Sequence, residues 1–386
     1  MPFEYADRIK RLPPYLFAEI EKKIKEKRAQ GVDLISLSVG DPDLPPPQFV
    51  IDALKQEAAN PKNHNYSFSQ GEPDYREAVA DWYKKRFNVD LAQDQVVALL
   101  GSKEGIANIA RAFINPGEAV LVPDPAYPVY ANGSTILCDG KVVPMPLLEK
   151  NGFQPDFEAI DAEGAKMMFL NYPNNPTAAT VDKKLLDKAV DFAKDNNIIL
   201  CYDNAYSEIT YDGYRAPSIL EVDGAMDIAI EFHSLSKTFN ITGDRIGFAV
   251  GNKQLVSGLA KVKSQIDSGP PVYTQKVAVK ALAAYTSKEP PDFLKKSNLI
   301  LQERRDLLVE TLCKIGYQCV KPKATFYVWV HCWGDSMKFA SKLLDVGVAV
   351  TPGIGFGECG EGYARITFTQ PKERIVEACS RISRAF

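Results

Sequence analysis

The chain has 386 residues, long for one hydrophobic core, so two domains are expected. Hydrophobic residues at 45%, charged residues at 25% and a formal net charge of −3 describe an ordinary soluble protein and give no reason to expect nucleic acid or an anionic membrane as partner. Residues 1–27 carry charges throughout with no signal-peptide core, no stretch approaches the roughly 20 apolar residues of a membrane span, and seven scattered cysteines with only three histidines argue against a disulfide framework or a zinc site, so a cytoplasmic, metal-free protein is expected.

Leu16 to Ile20 and the Lys/Glu-rich stretch behind them read as a helix with Gly31 near its C-cap. Tyr15 then stands just before the helix, where a hydrophobic anchor and a substrate contact are both open readings. Ile35 to Val39 alternates as a strand and runs into the turn Gly40-Asp41-Pro42-Asp43. Glycine permits close backbone approach, which makes the Gly40 N–H a candidate for a substrate carboxylate, although most such glycines only make turns. Tyr66 to Gly71 is a polar loop, and Pro73 to Phe87 is a helix whose stripe of Tyr75, Val79, Trp82 and Tyr83 reads as core.

Val96 to Leu100 is a strand, Gly101-Ser102-Lys103-Glu104-Gly105 a glycine-bounded turn and Ile106 to Phe113 a helix. A strand, a tight turn and a helix N-terminus make an anion site through free backbone N–H groups, so Ser102 and Lys103 are phosphate candidates beside the plainer reading of a helix start. The lysine-hydroxyl signature of a Walker loop is absent. Ala119 to Val122 is a buried strand followed by Asp124-Pro125-Ala126-Tyr127-Pro128, and Lys166 to Leu170 is another, ending in Asn171-Tyr172-Pro173-Asn174-Asn175-Pro176-Thr177. A helix over Asp182 to Asp195 leads to Asn197 to Tyr202, which reads as a strand buried on both faces and ends at Asp203, with Tyr206 three residues on. An acid at the carboxyl end of such a strand lies where open α/β sheets place their sites.

The apolar run Asp227 to His233 ends in Ser234-Leu235-Ser236-Lys237, which reads as a strand end presenting one lysine. Alone, that lysine is as easily a solvated charge. Its surroundings change the reading, because the hydroxyls of Ser234 and Ser236 and the guanidinium of Arg245 are groups that hold a phosphate. A lysine beside a bound phosphate suggests pyridoxal phosphate, whose aldehyde bonds covalently to a lysine amine, and Asp203 supplies the carboxylate its ring nitrogen needs. Further on, Phe248 to Gly251 is a strand, helices cover about 253–265 and 272–286, and Lys288-Glu289-Pro290-Pro291 looks like a hinge. A long helix to Ile315 is followed by Thr325 to Val330, Ser336 to Val346, Ala349 to Thr351, Tyr363 to Thr367 and Pro371 to Arg384. Within Tyr363 to Thr367, Arg365 has apolar neighbours, an expensive place for a guanidinium without an anion.

With these residues in place, the sequence resembles, nearly end to end, the class I/II aminotransferases of the fold type I pyridoxal-phosphate enzymes. The resemblance implies an α/β large domain at 46–285 with a mainly parallel seven-stranded sheet flanked by helices, and a smaller α+β domain built from 1–45 and 286–386. It implies a homodimer with shared active sites, amino acid and 2-oxo acid substrates, and a two-stage transamination in which Lys237 moves the substrate Cα proton. By resemblance Tyr66 reaches the phosphate of the neighbouring subunit, Tyr127 lies on the cofactor ring, and Asn175 and Tyr206 bond its phenolic oxygen. Arg365 holds the substrate carboxylate bidentately, Asn171 and Gly40 touch it, and Tyr15 contacts substrate. Tyr15 and Lys103 are also the polar partners available to a second amino-acid head far from the ring, although the loop Ser67-Phe68-Ser69-Gln70 offers that head no carboxylate.

Two positions depart from the family pattern. Ala178 follows Asn175-Pro176-Thr177 where glycine is common, at a cost of roughly 1 kcal/mol if that turn needs φ > 0. Asp244 precedes Arg245 where relatives tend to carry an apolar residue, and on a strand it would point away from the phosphate. A β-lyase or decarboxylase would use the same cofactor groups. A broad aspartate, alanine or aromatic aminotransferase fits the same motifs, and a non-catalytic binding relative would be expected to carry an appended DNA-binding module, of which there is no sign.

Overall fold

A computed structural model describes residues 3–13 and 16–385, without the side chains of 16–21 and 23. Its strands, in chain order, are β1 (Ile35–Ser36), β2 (Val96–Leu99), β3 (Ala119–Asp124), β4 (Lys141–Pro146), β5 (Ala165–Asn171), β6 (Ile199–Asp203), β7 (Ala229–Ser234) and β8 (Gly247–Gly251). There follow β9 (Gln318–Cys319), β10 (Tyr327–His331), β11 (Val348–Ala349), β12 (Thr351–Pro352) and β13 (Tyr363–Thr367).

Seven of these strands form one sheet in the order β2-β8-β7-β6-β5-β3-β4. Only β8 runs against its neighbours, so the sheet is mainly parallel, as expected. Its inner strands read as continuous apolar runs because both faces are covered: Leu200, Cys201 and Tyr202 of β6 and Ile230 and Phe232 of β7 are all buried. One face packs against Tyr75, Val79, Trp82 and Tyr83 of the helix Pro73–Phe87, so the predicted aromatic stripe is core. The other packs against Ile106, Ile109 and Ala110 of the helix Ser102–Phe113 and Leu255, Val256 and Leu259 of the helix Lys253–Lys263.

Because β5, β6 and β7 are parallel neighbours, their carboxyl ends bring Asn171, Asp203 and Ser234 to one edge of the sheet. A second sheet, β12-β13-β10-β9, places Arg365 on β13 opposite Trp329 of β10 and Thr351 of β12. β1 pairs in parallel with β11, which ties the segment leading to Gly40 to the C-terminal part of the chain.

Several boundaries differ from the sequence reading. The turn at 101–105 is the first turn of its helix, which starts at Ser102 rather than Ile106, and Gly101 at φ 79° is the residue that turns the chain. Lys237 lies not on a strand end but in the short helical turn Leu235–Thr238, whose N-cap Ser234 accepts from Ser236 N. Asp244 and Arg245 are not on a strand either: Thr242–Asp244 is a 3-10 turn and Arg245 is left-handed at φ 53°. The alternation argument for Asp244 therefore does not apply. β1 is shorter than predicted, and β4, rich in proline and largely exposed at the sheet edge, was not anticipated. Among the described residues no helix is long and apolar enough to cross a membrane.

Candidate active site

A cavity of about 310 Å³ opens at the carboxyl edge of the large sheet. Its wall includes Gly40, Ser102, Lys103, Tyr127, Asn171, Asn175, Asp203, Tyr206, Ser234, Ser236, Lys237, Arg245 and Arg365, residues scattered over more than three hundred positions of sequence. Of the predicted site residues, Tyr66 is not part of this wall and is 93% exposed, and Tyr15 lies outside the described residues.

At one end of the cavity is an anion cup. The N-terminal turn of the helix Ser102–Phe113 offers backbone N–H groups, and Ser234, Ser236 and Arg245 stand around it. Arg245 is aimed by two carbonyls, Nη1 donating to Thr242 O at 2.7 Å and Nη2 to Leu100 O at 3.0 Å. A Cβ on Gly101 would come within 2.5 Å of Nη2, so any side chain there would push the guanidinium from this position. The buried Ser236 hydroxyl has no hydrogen-bond partner among the described residues, a costly arrangement that a bound phosphate oxygen would relieve.

On the floor, Asp203 is 5% exposed, and its Oδ2 accepts a 2.7 Å hydrogen bond from Tyr130. Burial pushes its carboxyl up to about 6, with the bonds from Tyr130 and the Ala205 N–H acting against that. A buried acid in this position is suited to a positively charged ring nitrogen. Lys237 Nζ donates to the Gly40 carbonyl at 2.9 Å. Burial pulls this lysine down to about 8; Asp41 opposes the shift, and Arg245 and Arg365 add to it. The Gly40 carbonyl thus contacts the lysine, which the sequence did not suggest. A Cβ there would lie 2.1 Å from the Tyr327 hydroxyl, so glycine is needed for close packing.

Arg365 is 2% exposed between the rings of Tyr327 and Phe356, at 4.3 and 4.8 Å from their centroids. Nη1 donates to Asn175 Oδ1 and Nη2 to the Ser38 carbonyl, both at 2.7 Å, which fixes the plane of the fork. Arg365 thus occupies Asn175 Oδ1, and among the described residues no hydrogen bond engages the Asn175 amide N–H groups. Asn171 has a bracing part that the sequence did not suggest: Oδ1 accepts from Asn175 N at 2.8 Å and Nδ2 donates to the Asp203 carbonyl at 2.8 Å, so it ties the strand ends together while lining the cavity.

Tyr130 and Tyr327 were missed. Tyr130, in the helical stretch Val129–Thr135, is three residues beyond Tyr127, and Tyr327 shares a 2.7 Å hydroxyl contact with Tyr206. The only signal was that both are tyrosines in apolar surroundings, where a hydroxyl needs a partner. Lys103 Nζ lies 5.8 Å from the Tyr127 ring centroid, at the open side of the site.

The model of the aminotransferase class I and II family matches residues 32–382. The chain is a class I/II aminotransferase. Pyridoxal phosphate is the cofactor of such enzymes, and the cup, the floor acid and the lysine of this aminotransferase fit it. Among the relatives of the aminotransferase is the LL-diaminopimelate aminotransferase of Desulforudis audaxviator, 51% identical with 99% of this chain and 98% of that protein covered. That of Moorella thermoacetica is also 51% identical, over 98% and 97%. Among solved structures, substrate-bound BacF from Bacillus subtilis superposes with a TM-score of 0.93 at 36% identity, covering 100% of this chain and 98% of that one. Thermus thermophilus aspartate aminotransferase with maleate gives 0.92 at 29% identity, with both chains fully covered.

Proposed function

We propose that this aminotransferase moves an amino group from LL-diaminopimelate to 2-oxoglutarate, a step of lysine synthesis. The observation that carries the reading is identity of about one half, over almost the whole length, to enzymes of that name. Broad aspartate, alanine or aromatic transamination is the reading it displaces.

Bound in the cup, pyridoxal phosphate supplies an aldehyde that takes up the amino group and a ring that draws electrons from the substrate Cα. The chain's own residues do the rest. Arg365, locked between two rings, takes the α-carboxylate as a bidentate fork and so fixes the direction of the Cα–H bond. Lys237 Nζ, once free, takes that proton as base and returns one as acid; an amine lowered to about 8 changes protonation state readily near neutral pH. Asp203 keeps the ring nitrogen protonated. Tyr206 and the Asn175 amide orient the phenolic oxygen.

The distal amino-acid head of the substrate would meet Lys103 and Tyr15. Tyr66, exposed in the single chain, would complete the cup of a second copy, making a cytoplasmic homodimer the working unit. Residues 46–285 would form the large domain and 1–45 with 286–386 the small one, a division supported by the pairing of β1 with β11.

The test is a panel of amino donors with 2-oxoglutarate as acceptor. LL-diaminopimelate should give the highest kcat/KM, and analogues lacking the distal groups should be rejected strongly because the site's polar groups would be left unpaired. A preference for aspartate, alanine or phenylalanine would overturn the substrate and leave the transamination chemistry standing. Release of ammonia or carbon dioxide without a keto-acid acceptor would identify a lyase or decarboxylase.

A further inference from the structure

All seven cysteines are free, and two of them, Cys313 and Cys319, meet with their sulfurs 3.9 Å apart. Neither lines the cavity that holds Lys237. Cys313 is the penultimate residue of the helix Asp292–Lys314 and is exposed; Cys319 ends β9 and is half-buried.

The connection between them is tightly built. Gly316, at φ 92°, donates its N–H to the Cys313 carbonyl at 3.1 Å, and Tyr317 N donates to Leu312 O at 2.9 Å, closing the helix end. Beyond it, Cys319 is held in antiparallel register against Val330 of β10. The backbone of both cysteines is therefore fixed by hydrogen bonds that do not involve the side chains. Bringing 3.9 Å down to a bond of about 2 Å asks mainly for rotation about Cα–Cβ, for which the exposed Cys313 has room.

We propose that Cys313 and Cys319 form a thiol–disulfide modification site, which takes a low-molecular-weight disulfide such as oxidised glutathione as oxidant and closes into an intramolecular bond. The Cys313 thiolate attacks one sulfur of the oxidant, breaking its S–S bond and releasing one thiol. Cys319, losing its proton to solvent, then attacks Cys313 Sγ and expels the second thiolate, which takes up a proton. Two protein thiols are oxidised and one small disulfide is reduced to two thiols. The order follows from access: Cys313 meets solvent, whereas burial and the neighbouring Cys313 push the Cys319 thiol up to about 12. The product ties the end of the long helix to the edge strand of the smaller sheet. It also shelters the exposed thiol from over-oxidation.

The full-length enzyme with cofactor bound, first reduced and then treated with oxidised glutathione, provides the test. Thiol counting after denaturation should fall from seven to five, and non-reducing peptide mapping should find Cys313 linked to Cys319. Dithiothreitol should reverse both. In Cys319→Ser the reaction should stop at a stable glutathione adduct on Cys313, and Cys313→Ser should leave Cys319 unmodified. Retention of all seven thiols, or a lasting adduct on wild-type Cys313 beside a free Cys319, would overturn the proposal. So would a lowered thermal midpoint of the oxidised wild type, since the bond would then form only by distorting the fold.

Discussion

The Tyr130 hydroxyl donates a 2.7 Å hydrogen bond to Asp203 Oδ2 beneath the cavity, joining the segment after β3 to the end of β6. Removing it leaves a buried carboxylate with little beyond the Ala205 N–H to hold it. A hydrogen bond to a charged group contributes about 1.5–3 kcal/mol, so Tyr130→Phe should weaken the cofactor complex or lower kcat by roughly 10- to 100-fold in combination. Cofactor titration and steady-state kinetics would measure the two separately. Wild-type values for both would show that Asp203 does not depend on this bond.

The same burial makes Asp203 a source of pH dependence in the cofactor-free protein. Its pKa is about 6 when folded, against 3.8 ordinarily, so between those values the folded state holds a proton that the unfolded state has lost. Stability then falls as pH rises through that window, by about 3 kcal/mol for a shift of this size. Asp203→Asn should remove that fall. Urea unfolding of both cofactor-free proteins from pH 4 to pH 7 is the measurement, and parallel curves would contradict the assignment.

Much of this site was legible in the sequence because its chemistry is carried by residues whose type is expensive to place idly. Arg365 amid apolar neighbours, Asp203 after a buried strand, and Lys237 between hydroxyls and an arginine each demanded a partner, and the cavity wall contains all three. What was not legible depends on backbone direction. That the Gly40 carbonyl receives the lysine, and that Arg245 sits in a left-handed turn and not on a strand, are set by long-range packing against Tyr327 and Leu100. The bracing bonds of the Asn171 amide were hidden for the same reason, since both of its partners are set by the backbone. The sheet was readable from its apolar runs, but β4, alternating little and exposed, carried no such signal.

Arg365→Lys should raise KM for every amino donor. The fork is held in plane by Asn175 and Ser38, and a lysine would replace two parallel donors by one point charge. A loss of about 1.5–3 kcal/mol in carboxylate binding corresponds to roughly 10- to 100-fold. An effect confined to one donor would instead place Arg365 at the distal end of the pocket.

Tyr66 and Lys237 offer a test of the shared site. Protomers carrying Tyr66→Ala and protomers carrying Lys237→Ala should each be impaired alone. Mixed under conditions that exchange subunits, they should recover partial activity, because each hybrid dimer contains one site with both residues intact. No recovery, with heterodimers demonstrated by mass, would count against a tyrosine acting across the interface.

Ala178 allows two opposing effects to be weighed. It has φ 58°, in the left-handed region that glycine occupies freely, which costs an alanine about 1 kcal/mol. Yet the residue is only 6% exposed and packs into the main core, where burying one carbon contributes about 0.8 kcal/mol. The turn is also held by other bonds, with Ala178 N donating to Asn174 O at 3.0 Å and Thr177 Oγ1 to Asn174 Oδ1 at 2.7 Å. The two terms nearly cancel, so Ala178→Gly should change the unfolding free energy by less than about 1 kcal/mol, in either direction. Ala178→Val keeps a buried side chain but puts a β-branched residue at positive φ, and should destabilise by about 1–3 kcal/mol. Urea unfolding of the three proteins decides it. A gain well above 1 kcal/mol in the glycine variant would mean that the buried methyl contributes little, and that the backbone strain at this turn goes largely uncompensated.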